Sequence, residues 1–318
     1  MITVPAPAGP GAFVHPALFY QDLTEYLVGV GDFVRGALAA DEPVLVAVPG
    51  PHLDVLRESL DPAPAGAEIA WTDMAELGRN PGRILAALQD FADRHAGRAS
   101  RIVGEPIWPG RSRAEVLEAT RHEALINTAF AGRPATVLCP YDVRGLPPSV
   151  VADARRTHPT VIESGRVLLS PSHTDAPTVC ADCDRPLPEH DGSVLRFEYA
   201  HGGLAELREY AAAWARSTPL APARRGDLVL AISEAAANSL SHGGGRGTLR
   251  LWTATGKGVV AEIHDAGRLV DPLAGRRRPS LTSANGGRGL WMIHQLCDLV
   301  EVRASDDGLT LRLHMATP

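Results

Sequence analysis

Glu234, Asn238 and His242 recur at every fourth position of the stretch Ile232-Ser233-Glu234-Ala235-Ala236-Ala237-Asn238-Ser239-Leu240-Ser241-His242. The stretch reads as a helix, and that spacing stacks the three side chains along one face. The opposite face is Ala and Leu, suited to packing. A carboxylate and a carboxamide one turn apart can hold Mg²⁺ and orient a nucleophile. A helical Glu-x-x-x-Asn also arises by chance, so its weight comes from two blocks nearer the C-terminus. Asp265-Ala266-Gly267 closes an apolar run, Val259-Val260-Ala261-Glu262-Ile263, and Gly286-Gly287-Arg288-Gly289-Leu290 then opens another helix. Each block alone is equally a turn, a helix start or a polar surface. The three in this order predict a nucleotide pocket.

Each block has a separate chemical task in such a pocket. A carboxylate at the end of a strand, as at Asp265, can accept the hydrogen bond of an adenine amino group. Gly267 lets the backbone approach the base closely. The amides around Gly287, Arg288, Gly289 and Leu290 can receive phosphates at a helix N-terminus. No lysine is needed for that, and the chain has a single one, Lys257, in a Gly-Lys-Gly hairpin. A Walker A loop and the strand lysine of eukaryotic-type kinases are therefore both excluded.

These residues need a scaffold, and the pattern after residue 192 supplies one. A strand (193–199) leads to two helices (203–216 and 221–241). Two strands joined by a glycine turn come next (247–254 and 258–264), then a loop, a helix (288–297) and two last strands (299–304 and 309–315). Helices grouped with hairpin-connected strands predict an α+β two-layer domain over 193–316.

The first half reads differently. A helix over 17–40, the strand Pro43 to Val48, a helix near 52–60, a strand at 68–71 and a helix over 82–95 come first. A strand at 101–104, a helix over 112–131, a strand at 135–139, a helix near 148–156 and two short apolar runs complete it. Alternation of this kind predicts an α/β domain over 13–170, a parallel sheet with helices on both faces. Residues 1–14, rich in Pro, Gly and Ala, are expected to be disordered, and 171–192, rich in Ser, Pro, Asp and His, to be a linker.

The C-terminal blocks resemble the GHKL ATPase superfamily, whose fold is the Bergerat fold. Within it they are most similar to the anti-sigma-factor serine kinases, whose first box reads Glu-Ala-x-x-Asn-x-x-x-His, here Glu234-Ala235, Asn238 and His242. The resemblance spans about 195–316. It implies ATP and Mg²⁺ as ligands, Asn238 as the Mg²⁺ ligand and Glu234 as general base toward a protein serine or water. It further implies Asp265 and Gly267 at adenine, and Gly287 and Gly289 around the phosphates with Arg288 and Leu290 beside them. His242 would line the pocket or cap the helix. The loop at about 269–286 lacks the phenylalanine box of sensor histidine kinases. The partners implied are a sigma factor and a STAS-type anti-sigma-factor antagonist, and a homodimer is common among such proteins.

The N-terminal half is similar to the MEDS domain, a sensory module of methanogen and methylotroph regulators related to RecA-like folds. The matching stretches are Glu42 to Pro49, Glu105-Pro106-Ile107-Trp108, Arg121 to Asn127 and Leu138-Cys139-Pro140-Tyr141-Asp142. The segment Val48-Pro49-Gly50-Pro51-His52 stands where a phosphate loop is expected and has no lysine, so a sensor of an unknown ligand is implied rather than a second ATPase. Glu105 and Glu123 are candidates for a polar site or for salt bridges.

Other features narrow the class. A net charge of −6 without an aromatic-interleaved basic patch argues against nucleic acid, and Arg276-Arg277-Arg278 reads as a solvated loop. The start shows no signal-peptide pattern and no apolar run nears the ~18 residues that span a bilayer, so the expectation is a cytoplasmic chain without a membrane partner. Cys180-x-x-Cys183 is open between an inert linker pair, half a zinc site with His173, His190 or Asp182, and a redox pair. His122-Glu123 looks like the phosphoacceptor box of a histidine kinase but lies inside the α/β pattern, and His158, before Pro159, reads as a turn. The expected function is a signalling regulator that phosphorylates an anti-sigma-factor antagonist. The alternatives are a non-catalytic, nucleotide-dependent switch of partners and an orphan sensor histidine kinase.

Overall fold

A computed structural model describes residues 12–60, 68–254, 256, 258–279 and 287–317. Lys257 and Gly286 lie outside the described residues. The chain divides into two compact units, Met1–Cys180 and Ala181–Pro318.

The first unit is built on one sheet. Its elements are β1 (Phe13–Val14), β2 (Pro16–Tyr20), α1 (Leu23–Ala39), β3 (Val44–Val48), α2 (Gly50–Ser59), β4 (Ile69–Asp73), α3 (Met74–Leu77), α4 (Ile84–Arg94), β5 (Ser100–Gly104), α5 (Arg113–Ala129), β6 (Ala135–Asp142), α6 (Pro148–Thr157), β7 (Thr160–Glu163) and β8 (Arg166–Leu169). Strand order is β4-β3-β5-β6-β2-β7-β8, with β1 also on β6. Every pairing is parallel except β7 with β8, an antiparallel hairpin at one edge. This is the expected RecA-like sheet with flanking helices.

One expectation is corrected. Residues 17–40 read as a single helix, but Pro16–Tyr20 is a strand near the middle of the sheet and the helix begins at Leu23, capped by Asp22. All five strand residues are buried. A strand covered on both faces shows no polar alternation, so its pattern merges with the apolar helix after it.

The stretch read as a linker holds α7 (Ala176–Cys183), in which Val179, Cys180 and Cys183 are buried. None of the four cysteines is in a disulfide, and Cys180 and Cys183 belong to no cluster of metal-ligating side chains among the described residues.

The second unit comprises β9 (Leu195–Ala200), α8 (Leu204–Ser217), α9 (Pro222–His242), β10 (Arg246–Ala254), β11 (Gly258–Asp265), α10 (Arg288–Leu296), β12 (Leu299–Ser305) and β13 (Gly308–Met315). Its sheet, β12-β13-β11-β10-β9, is wholly antiparallel. Alternation along the strands sends Leu249, Leu251, Ala261, Ile263, Leu311, Leu313, Val300 and Val302 into the core with Leu228, Ile232 and Ala236 of α9. This is the expected two-layer GHKL arrangement.

The other face of that sheet carries charge. Arg250 stands opposite Glu262, Glu262 opposite Arg312 and Arg312 opposite Glu301. The segment 184–190 lies against this ladder. Glu189 pairs with Arg250 at 2.6 Å, Arg312 donates to the carbonyl of Pro188, and the His190 ring stacks on Trp252. The second half of the expected linker is therefore strapped to the C-terminal sheet, where it shields Glu262 and Arg312 from water.

Candidate functional site

Helix α9 starts with proline in its first turn and ends against Gly243. Ala235 and Ala236 bury one side of it, leaving Glu234 and Asn238 half-exposed on the other. Opposite them stands the first turn of α10. A Cβ placed on Gly289 would lie 2.9 Å from Glu234 Oε2 and 3.3 Å from Asn238 Oδ1. The structure thus brings the start of α10 against residues more than fifty positions away in the chain, so close that a methyl on Gly289 would fit only if those side chains moved. Gly287 caps that helix in the left-handed conformation (φ 84) and places no capping side chain over its first amides. Unsatisfied N–H groups at a helix start favour an anion.

At the end of β11, Asp265 is buried and both its carboxylate oxygens are engaged. Oδ1 accepts from the amide of Gly267 at 2.7 Å, and Oδ2 accepts from the hydroxyl of Ser239. Each oxygen keeps a lone pair for one further donor. Gly267 fits tightly here, since a Cβ on it would lie 2.7 Å from Asp265 Oδ1 and 3.0 Å from the Cα of Gly243. Tyr199 of β9 lies beside this pair. Burial, reinforced by the Asp265 charge and partly offset by the nearby Ser239 hydroxyl, pushes its phenol up to about 12. It therefore stays a neutral phenol at physiological pH.

The remaining expected residues fall on the same wall with different exposures. His242 ends α9 with an exposed ring, and it is its backbone carbonyl, not the imidazole, that faces Gly267. Arg288 opens α10 and is exposed, whereas Leu290 is buried against Gly275. That contact folds the loop onto α10, and of the run Arg276-Arg277-Arg278 read as solvated it corrects Arg276 alone, Arg277 and Arg278 being exposed. Arg276 is 3% exposed, while Arg277 pairs on the surface with Asp271. Ser239 and Tyr199 are the residues that sequence reasoning missed. Ser239 sat inside the quoted helix, but only the fold shows that it faces Asp265.

Two family models match the chain. A histidine kinase-like ATPase domain covers residues 197–315, and the MEDS domain (MEthanogen/methylotroph, DcmR Sensory domain) covers residues 14–159. The chain joins a MEDS domain to a histidine kinase-like ATPase domain. No curated protein matches it. The pair of domains makes it a signalling regulator, with ATP binding implied by its C-terminal half. No helix among the described residues is long and apolar enough to cross a membrane.

The ATPase domain fits its nucleotide. Asp265 retains acceptor capacity beside close-packed backbone, the α10 amides lack a cap, and the Asn238 and Glu234 oxygens converge on that helix start. Asn238 offers the hard oxygen that Mg²⁺ prefers.

The MEDS domain has a polar cluster at the carboxyl ends of its parallel strands, where α/β sheets bind ligands. Glu105, just after β5, is 1% exposed and accepts from Tyr26 and Tyr20 and pairs with His52 Nδ1 at 2.8 Å. Burial raises the Glu105 carboxyl above its usual range. Burial alone would lower the His52 imidazole, but the hydrogen bond and charge of Glu105, with the charge of Asp142, outweigh it and raise the pKa. Glu105 and Glu123 are both buried and belong to separate clusters, so neither is a surface residue. His122 is buried in α5, and His158 is buried at the end of α6 rather than in an open turn.

Proposed function

We propose that this protein is an ATP-dependent serine kinase of the anti-sigma-factor type, governed by its MEDS domain, whose substrate is a STAS-type antagonist of a sigma factor. The observation that carries this reading is the meeting of Glu234, Asn238 and the start of α10 around Gly289. When bound, Mg-ATP supplies the phosphoryl group and the cation that offsets its charge. Asn238 holds the metal, and the first amides of α10 hold phosphate oxygens. Asp265, oriented by Ser239 and Gly267, accepts from the adenine amino group. Glu234 takes the proton of the acceptor serine, a task for which a carboxylate within reach of the phosphate-binding helix start is suited.

The test is incubation of the full chain with γ-labelled ATP and purified STAS-type antagonists. Label on an antagonist serine, lost by a factor of about 10² or more in Glu234→Gln with nucleotide binding retained, supports the kinase. ATP bound but never consumed means a nucleotide-dependent switch of partners, and acid-labile label on the chain itself means a histidine kinase. An Asn238→Ala protein that binds Mg-ATP as the parent does removes the site assignment.

A further inference from the structure

Four side chains of the MEDS domain that could each ligate a metal meet in its interior: His15, Glu123, Cys139 and His158. They come from the break between β1 and β2, the middle of α5, the middle of β6 and the end of α6. All four are almost fully buried, and one donor atom from each lies within 4.8 Å of the other three. His15 Nε2 is 3.1 Å from Glu123 Oε2 and 3.4 Å from Cys139 Sγ. Cys139 Sγ is 3.4 Å and His158 Nε2 is 3.3 Å from the same Glu123 oxygen.

The outer hydrogen bonds fix which ring nitrogens face inward. His158 Nδ1 lies 2.7 Å from the carbonyl of Ala154, a group that only accepts, so this nitrogen carries a proton. Asn127 Nδ2 donates to the carbonyl of Thr157 at 2.8 Å, which leaves its Oδ1 to accept from His15 Nδ1 at 3.1 Å. In their neutral forms both imidazoles therefore point an Nε2 lone pair at the Glu123 carboxylate, and that of His15 also at the Cys139 sulfur. His158 Nε2 and Glu123 Oε1 make no hydrogen bond among the described residues, although both are buried. Lone pairs converging in a dry interior repel one another unless a cation or a proton lies between them. Imidazoles anchored through Nδ1 to a carbonyl or carboxamide are the usual outer support of metal-bound histidines.

We propose that this cluster is a structural site for a divalent transition-metal cation, zinc first, held by His15 Nε2, His158 Nε2, a Glu123 oxygen and the Cys139 thiolate. Two imidazoles, one carboxylate and one thiolate form a mixed donor set of the kind Zn²⁺ accepts in tetrahedral geometry. Zn–N and Zn–S bonds of about 2.0 and 2.3 Å place neighbouring donors roughly 3.3–3.6 Å apart. Four of the donor pairs stand at 3.1–3.4 Å, so small movements close the tetrahedron. With four protein ligands and no open face the site is structural rather than catalytic. Binding converts the Cys139 thiol to thiolate, and the proton leaves to solvent. The cation ties β2 and β6 to α5 and α6, and it is independent of the nucleotide site.

The test uses the full chain. Metal content after expression and exhaustive dialysis is expected near one equivalent of zinc. After removal by a chelator under mild denaturation, refolding with Co²⁺ is expected to give the d–d bands of a four-coordinate ion and a thiolate-to-cobalt charge-transfer band. Cys139→Ser abolishes the charge-transfer band, Glu123→Gln lowers affinity at least about tenfold, and Cys180→Ser changes neither. Protein that carries no metal and gives no cobalt spectrum overturns the proposal. So does a charge-transfer band that survives in Cys139→Ser. The spectrum of the parent decides by itself if a variant does not fold.

Discussion

The Ser239 hydroxyl donates to Asp265 Oδ2, joining the helix of Glu234 and Asn238 to the strand end that bears the proposed adenine acceptor. The two halves of the proposed nucleotide site are therefore coupled by one buried hydrogen bond. Ser239→Ala leaves Asp265 held only by the Gly267 amide. With one such bond worth about 1 kcal/mol, nucleotide affinity is expected to fall about fivefold. Titration calorimetry with ADP measures it, and an unchanged affinity would show that Asp265 needs no orienting partner.

Gly289 and Gly267 are both crowded, but by different atoms. In Gly289→Ala the new methyl meets the ends of the Glu234 and Asn238 side chains, which can swing aside. Binding of Mg-ATP is expected to drop at least about tenfold while thermal stability changes little. In Gly267→Ala the methyl also meets the Gly243 Cα and the His242 carbonyl, which are backbone. That variant is expected to lose about 1–3 kcal/mol of stability besides its nucleotide affinity. Equal melting temperatures for the two variants would contradict this reading of the packing.

The charge ladder on the C-terminal sheet separates exposed from buried ion pairs. Glu189 is largely exposed, so Glu189→Gln is expected to cost less than about 1 kcal/mol. Glu262 is 4% exposed and pairs with both Arg250 and Arg312. Glu262→Gln leaves Arg312 buried without its carboxylate, at an expected cost of about 3–5 kcal/mol. Urea denaturation of the full chain, followed through tryptophan fluorescence, ranks the two. A Glu189 variant as damaged as the Glu262 variant would mean that the strap, not the buried pair, holds this face.

The His52–Glu105 pair makes the MEDS domain sensitive to pH with a definite sign. The folded-state pKa of His52 lies above its ordinary value of 6.5. The native state therefore binds this proton more tightly than the unfolded chain does. The stabilisation is fully present below the unfolded pKa and is lost as pH rises through the folded one. Glu105, also raised, acts in the same direction at lower pH. The melting temperature of the parent is expected to exceed that of His52→Gln by more at about pH 6 than at about pH 8.5. A gap that is constant with pH, or that widens toward alkaline pH, would remove the charged pair.

Much of this was legible in the residues alone. The helices and strands of the C-terminal unit were legible as periodic faces or apolar runs bounded by turns, β11 as a run buried along nearly its whole length. The spacing of Glu234 and Asn238, the strand-end Asp265 and the glycines at the start of α10 marked the wall proposed for the nucleotide, and the structure brings Glu234 and Asn238 against Gly289. The tertiary structure decided what depends on contacts far apart in the chain. Pro16–Tyr20 is a strand because neighbours cover both its faces, which removes the alternation that would mark it. Ser239 matters through Asp265, and His190 and Glu189 lie on a sheet rather than in a free linker. His15 and His158, more than a hundred residues apart, show their purpose only where Glu123 and Cys139 meet them, since a cluster of donors across a fold leaves no local spacing in the sequence.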